Sequence, residues 1–298
     1  MTRTTLLVTG ASGHLGQRVL CHLLDTLKVP PGRIIATTRK PDSLATWAAR
    51  GVGIRAADFD NEASLTRAFH GAGRVLLIST DADMRGQRVR QHQCAITAAE
   101  KAGVEHLTYT SMPEPNRSLV LFAPDHTASE AALSTSKLAS WTVLRNHWYF
   151  ENIFMLLPGV LARGGKWFSA AGDGKVADIA RDDLALAAAH ELAHFSSGKS
   201  TYTLSGREAL TTIEQARLIS ASIGKPIQVV PVPPENLILG MVGAGVPEEL
   251  ARLLASFDAN VAAGHMGNVT GDFEKITGRK PRLFADWLAA NRAALASL

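Results

Sequence analysis

The stretch VTGASGHLG, residues 8 to 16, sets Gly10, Gly13 and Gly16 between an apolar run and a helical pattern. That spacing suits chemistry on a dinucleotide. Gly10 permits a tight turn out of a strand, Gly13 lets the backbone approach a pyrophosphate, and Gly16 lets the following helix pack closely on the strand. The helix it opens aims unpaired N–H groups and a partial positive charge at the phosphates.

The next apolar run ends in TTRKP, residues 37 to 41. A dinucleotide site selective for NAD places Asp or Glu here to hold the ribose 2′-hydroxyl. This chain has Arg39 followed by Lys40 and no acid, which favours the extra 2′-phosphate of NADP(H). Asp58, closing the third expected strand in AADFD, is placed to accept from an adenine amino group. Ser79 and Thr80 end a further apolar run. All of these fall at the carboxyl ends of expected strands, where open parallel sheets bind ligands.

Two other patterns could do chemistry. PDHTASEAAL, residues 124 to 133, spaces His126 and Glu130 one helical turn apart. His126 is a candidate proton donor or substrate contact, with a lid or helix cap as the alternative, and Glu130 could raise its pKa or face solvent. HELAH, residues 190 to 194, matches H-E-x-x-H on an expected helix, so His190, Glu191 and His194 admit a zinc hydrolase. Neither a third ligand at characteristic spacing nor a G-x-S-x-G nucleophile elbow accompanies it. The competing reading is a surface helix whose His and Glu face water.

These residues need elements to hold them. Strands are expected over 4–10, 33–39, 52–58, 74–80, 106–112 and WTVLRN. Helices are expected between them, including one from Met84 to Ala102 and one from about Thr127 to Ser136. This alternation implies βαβ units and a mostly parallel sheet covered on both faces. After Asn152 the rhythm weakens. A Gly-rich segment precedes a helix from Arg181 to about Phe195, then short strands and a mostly helical remainder. The expected class is α/β, a doubly wound Rossmann sheet over 1–152 with a smaller α+β lobe over 153–298 that shares the cleft.

TGASGHLG, TTRKP, LRNHWYFEN (144 to 152) and AAGDGKVADIARDDLA (170 to 185) resemble the NmrA-like atypical short-chain dehydrogenase/reductases, nearest to the quinone- and triphenylmethane-reducing members. The likeness runs from the first strand to roughly residue 210. It implies cofactor contacts at Gly10, Ala11, Ser12, Gly13, His14 and Leu15, at Arg39, at Ser79 to Asp81, and at Asn146 to Glu151, with His147, Trp148 and Tyr149 among them. Arg181 and Asp182 would close over the same cleft. Trp148 and Tyr149 would offer aromatic faces to a planar substrate. SMPEPNRSLVLFAP (111 to 124) is a candidate mobile cover.

None of Tyr109, Tyr149 and Tyr202 is followed four residues later by lysine, so the usual Tyr-x-x-x-Lys proton donor is missing. A simple ketone reduced by hydride carries localised charge and needs a positioned acid. A quinone spreads that charge over its ring. The reading is an NADPH-dependent reductase of a quinone-like or other conjugated acceptor. An NADP(H)-binding sensor without turnover is the alternative.

Composition bounds the partners. Of 298 residues 46% are hydrophobic and 19% charged, which excludes a disordered chain. A formal charge of +4 is spread along the chain, and its densest group, Arg85, Arg88, Arg90 and His92, suits an exposed helix face better than a nucleic-acid groove. Two cysteines make no disulfide framework or metal site. With no signal-like start and no apolar run of ~20 residues, the expectation is a cytoplasmic protein with a small-molecule electron acceptor, no nucleic acid, no membrane and no metal. A homodimer stays open.

Overall fold

Most apolar runs of the first half are buried on both sides, as strands covered by helices on each face must be, while the edge strand over 53–56 is not. In the computed structural model, which describes residues 4–81, 86–194 and 197–298, strands β1 (Leu6–Val8), β2 (Ile34–Thr38), β3 (Gly53–Ala56), β4 (Arg74–Leu77), β5 (His106–Ser111) and β6 (Trp141–Asn146) alternate with helices α1 (His14–Cys21), α2 (Ala45–Ala49), α3 (Glu62–Phe69), α4 (Gln87–Lys101) and α5 (Ala123–Ser134). Every residue of β1, β2 and β5 is buried. All neighbours pair parallel in the order β3-β2-β1-β4-β5-β6. The winding direction reverses between β1 and β4, which opens a crevice at their carboxyl ends. This is the doubly wound Rossmann architecture.

Beyond residue 152 come α6 (Ile153–Ala162), β7 (Lys166–Ser169), β8 (Lys175–Val176), α7 (Arg181–His194), β9 (Lys199–Leu204), β10 (Leu210–Thr211), α8 (Thr212–Ile223), β11 (Gln228–Pro231), α9 (Pro234–Gly243), α10 (Glu248–Ala262), α11 (Asp272–Thr277) and α12 (Phe284–Ala296). This half divides itself between two places. β9 pairs parallel with β6 and extends the main sheet to seven strands, from Trp141 opposite Lys199 to Asn146 opposite Leu204. The alanine-rich α7 covers the same face as α1, with Leu184, Leu186 and Leu192 among Val19, Leu20 and Leu23. Helices α6, α8 and α12 gather around an aromatic core of Phe150, Phe284 and Trp287, the last two rings stacked 6.2 Å apart.

Local chemistry sets several boundaries. α8 begins in a capping box, Thr211 with Glu214, and ends at Gly224 in a left-handed conformation. α5 starts at Ala123, four residues before the expected Thr127, because Pro124 sits in its first turn, where its missing N–H costs no hydrogen bond. α4 is described from Gln87, so the expected start at Met84 lies outside the described residues, as do Arg85 and Phe195. The exposed cationic face expected on α4 needs correction. Arg90 is exposed, but His92 has no accessible surface and belongs to the core. Among the described residues, no helix is long and apolar enough to cross a membrane.

Candidate functional site

A cleft of about 700 Å³ opens where β1, β2, β3 and β4 end. Its walls bring together Gly10, Ser12, Gly13, His14, Leu15, Gly16, Arg39, Asp58, Ser79, Thr80, Asp81, Tyr149 and Arg181, residues drawn from six separate stretches of sequence. Gly10 turns the chain at φ +57°, a region L side chains rarely enter. Gly16 lies so close under that turn that a Cβ there would stand 2.4 Å from the Gly10 carbonyl oxygen. The turn is thereby pressed against the start of α1, whose first N–H groups have no partner within the helix and border the cleft. Ala11 supports this loop from beneath: it is fully buried, and its N–H donates to the Thr37 carbonyl at 3.1 Å.

Ser12 and Thr38 join the glycine turn to the end of β2 through their hydroxyls at 3.0 Å. Arg39 follows directly, exposed, with no acid at the end of β2. Across the cleft, the Arg181 guanidinium lies 4.9 Å from the centre of the Tyr149 ring, and its backbone N–H donates to Glu151 at 2.9 Å. Burial pushes the Tyr149 hydroxyl above its ordinary pKa.

Other expected residues lie elsewhere. Asn146 and His147 are buried and Trp148 partly so, and none of them lines the cleft. Burial depresses His147 to about 4, and neither ring nitrogen has a hydrogen-bond partner among the described residues. Trp148 packs edge-on against Phe257 of α10, ring centres 5.0 Å apart. Asp182 lines a neighbouring recess of about 350 Å³ that shares Ser12, His14 and Arg181 with the cleft. Its carboxylate binds Arg18 and His22 of the first helical region, and Arg282 before α12. Burial alone would raise its pKa, but His22, Arg18 and Arg282 hold it well below the usual carboxylate range.

His126 is also buried, with its Nδ1 hydrogen-bonded to the Tyr109 hydroxyl at 2.9 Å. Burial, aided by the Arg88 charge, lowers its pKa to about 3, so at neutral pH it holds no imidazolium proton to release. Glu130 does not raise that value, as the sequence allowed. It is taken up by Arg145, at 2.6 Å, and by the Ser111 hydroxyl at 2.7 Å. The segment over 111–124, expected as a mobile cover, is fastened to α10: Leu119 N–H donates to Asn260 Oδ1 at 2.9 Å and Leu121 N–H to Ser256 Oγ at 3.3 Å.

His190 and His194 share one face of α7 with rings 5.7 Å apart. Glu191 does not face water, as the surface-helix reading had it: it is buried and accepts from Thr142 Oγ1 at 2.6 Å. Among the described residues no three His, Cys, Asp or Glu side chains are grouped to hold a metal.

The cleft also has walls that the motifs did not indicate. Phe59 and Asp60 continue the loop after Asp58, and Gln87 and Gln91 project from α4. The two glutamine amides donate to Asp60 Oδ2 at 3.3 and 3.0 Å. Their spacing of four residues puts them on one helix face. Only the packing of α4 on the sheet shows that this face looks toward the cleft.

The model of the NmrA-like family matches residues 2–281, and the chain belongs to that family. It is 34% identical to quinone oxidoreductase 2 of Escherichia coli over 94% of this chain and 96% of the relative. It is 28% identical to the NAD(P)H azoreductase of Xenophilus azovorans over 97% and 98%. Among solved structures, an NADPH-dependent quinone oxidoreductase of Escherichia coli complexed with NADPH superposes with a TM-score of 0.89 at 33% identity, covering 95% of this chain and 98% of that one. Triphenylmethane reductase of Citrobacter sp. complexed with NADP(H) gives 0.87 at 33%, covering 97% and 100%.

Proposed function

We propose that this protein is an oxidoreductase that binds NADPH in the cleft and reduces a quinone or similar conjugated acceptor. The observation that carries the reading is the cleft itself: a glycine turn and helix start for phosphates, with Arg39 and no acid at the end of β2. The residues fit the cofactor, because the narrow approach of Gly16 to Gly10 leaves backbone where a side chain would otherwise stand. The relatives' named activities, quinone, azo-compound and triphenylmethane reduction, share delocalised acceptors and support the same class.

Gly10, Ser12, Gly13, His14, Leu15 and Gly16 hold the pyrophosphate in this reading, Arg39 the 2′-phosphate, and Asp58 the adenine side. Ser79, Thr80, Asp81, Tyr149 and Arg181 border the other half. When bound, NADPH supplies a hydride at its dihydronicotinamide. The chain orients the reactants and keeps water from them, which can account for several kcal/mol of the barrier, of order 7–11 in the best cases. His126 is neutral and outside the cleft walls, so the reduced acceptor takes its proton from water. Delocalised charge tolerates that late protonation, and a saturated ketone does not.

An acceptor screen with NADPH tests the reading. Steady oxidation is expected with benzoquinone, azo and triphenylmethane dyes, and little with simple ketones. Tight NADPH binding with no consumption by any of them would instead mark a sensor.

A further inference from the structure

Three successive amides at the end of β4 are turned away from the cleft and capped by side chains. Ile78 N–H donates to Thr9 Oγ1 at 3.0 Å, Ser79 N–H to Thr110 Oγ1 at 2.9 Å, and Thr80 N–H to His92 Nε2 at 3.0 Å. The first two acceptors are hydroxyls beside or within neighbouring strands. The third is an imidazole with no accessible surface, reaching from α4.

The hydrogen bonds fix its tautomer. An amide can only donate, so Nε2 of His92 is bare and the ring proton sits on Nδ1. That proton goes to Ser129 Oγ at 2.8 Å, and the Ser129 hydroxyl donates onward to the Asp125 carbonyl at 2.7 Å. The Tyr109 hydroxyl stands 3.3 Å from the same Nδ1. One helical turn before His92, Arg88 Nε donates to the Thr80 carbonyl at 2.8 Å. Both backbone polar groups of Thr80 are therefore held by one face of α4.

The strand order says what this does. The glycine turn and Arg39 lie at β1 and β2, so a dinucleotide gripped there extends its other half across β4 toward β5 and β6. Ser79, Thr80 and Asp81 are the wall it meets. We propose that His92 is a positioning residue for hydride transfer, fixing the Thr80 peptide and through it the wall that aligns the reactive ring. His92 touches neither cofactor nor acceptor. The proposal rests on the NADPH-reductase reading above.

The energetics favour sensitivity in rate over affinity. A misplacement of about 1 Å in a reacting pair costs on the order of 100-fold in rate. The grip on the phosphates lies at another strand and is left alone.

The test compares the parent with His92→Phe, His92→Gln and Ser129→Ala. The parent must first oxidise NADPH with benzoquinone. If it does not, the reductase reading has failed, whatever the variants do. Given parent turnover, His92→Phe keeps a ring but loses the acceptor, and kcat should fall about 10- to 100-fold with the Kd for NADPH within about threefold. His92→Gln can set its amide oxygen near the place of Nε2 and should recover at least half of that loss on a logarithmic scale. Ser129→Ala removes the group that selects the tautomer, and kcat should fall about threefold or more at unchanged NADPH affinity. If His92→Phe does not fold, the Gln and Ser129→Ala variants carry the test. A lowered Tm with kcat within about twofold of the parent, or equal impairment by Phe and Gln, would overturn the proposal.

Discussion

β1 and β4 lie side by side and end at the same cleft, but they present their backbones in opposite ways. At β1 the chain turns through Gly10 and sets the unpaired first-turn amides of α1 beside the cleft. At β4 the amides of Ile78, Ser79 and Thr80 are each consumed by a buried side chain from elsewhere in the fold. The first end can receive an anion and the second cannot. The contrast separates binding, carried by local backbone, from alignment, carried by distant side chains.

The sharpest way to break the comparison is at the glycine turn. Gly16→Val puts a side chain where the Gly10 carbonyl stands 2.4 Å from even a Cβ. NADPH affinity, followed by fluorescence titration, should fall by more than about 100-fold, since the phosphate-binding turn is displaced. Retained affinity would mean that the turn does not hold the phosphates. Arg39→Asp comes next. A charged hydrogen bond is worth about 1.5–3 kcal/mol, so NADPH should bind about 10- to 100-fold more weakly. NADH should change by less than about threefold, and an equal loss for both removes the 2′-phosphate assignment.

The β4 end should respond in stability more than in affinity. Thr110→Val leaves the Ser79 N–H without its acceptor in a position that is 2% exposed. Urea unfolding should show a loss of about 1–3 kcal/mol, with NADPH Kd within about twofold. A large fall in affinity instead would erase the division between the two strand ends.

His126 offers a smaller, pH-dependent effect. Folded, it stays neutral down to about pH 3. Unfolded, it takes up a proton near its ordinary pKa of about 6.5. Unfolding therefore binds a proton between those values, and the stability present above pH 6.5 is lost as the pH falls through that window. His126→Asn keeps an acceptor for Tyr109 and removes the titration. The slope of unfolding free energy against pH should flatten by up to about 1.4 kcal/mol per unit between pH 6 and 4. An unchanged slope would mean the imidazole is charged when folded.

The same contrast explains what the sequence made legible. The parallel sheet, the glycine turn and Arg39 follow from local signals: buried apolar runs, a strand-to-helix glycine spacing, and a strand-end charge. The return of STYTLSG to the main sheet as β9 was not legible, because parallel pairing leaves no local mark of which strand is the neighbour. Nor was the role of α4. Arg88 and His92 read as part of an exposed cationic face, and only tertiary packing turns His92 under β4 and sets Gln87 and Gln91 toward the cleft. His126 and Glu130 looked paired at four residues apart, but Tyr109 and Arg145, distant in sequence, took one each.

The central claim is that the cleft holds NADPH and passes its hydride to a conjugated acceptor. A single-turnover stopped-flow experiment tests it directly, mixing the NADPH-loaded protein with benzoquinone and following the dihydronicotinamide absorbance. The account predicts loss of one NADPH per site, slowed when the transferred hydrogen is deuterium. Absorbance that persists while NADPH remains bound would contradict it.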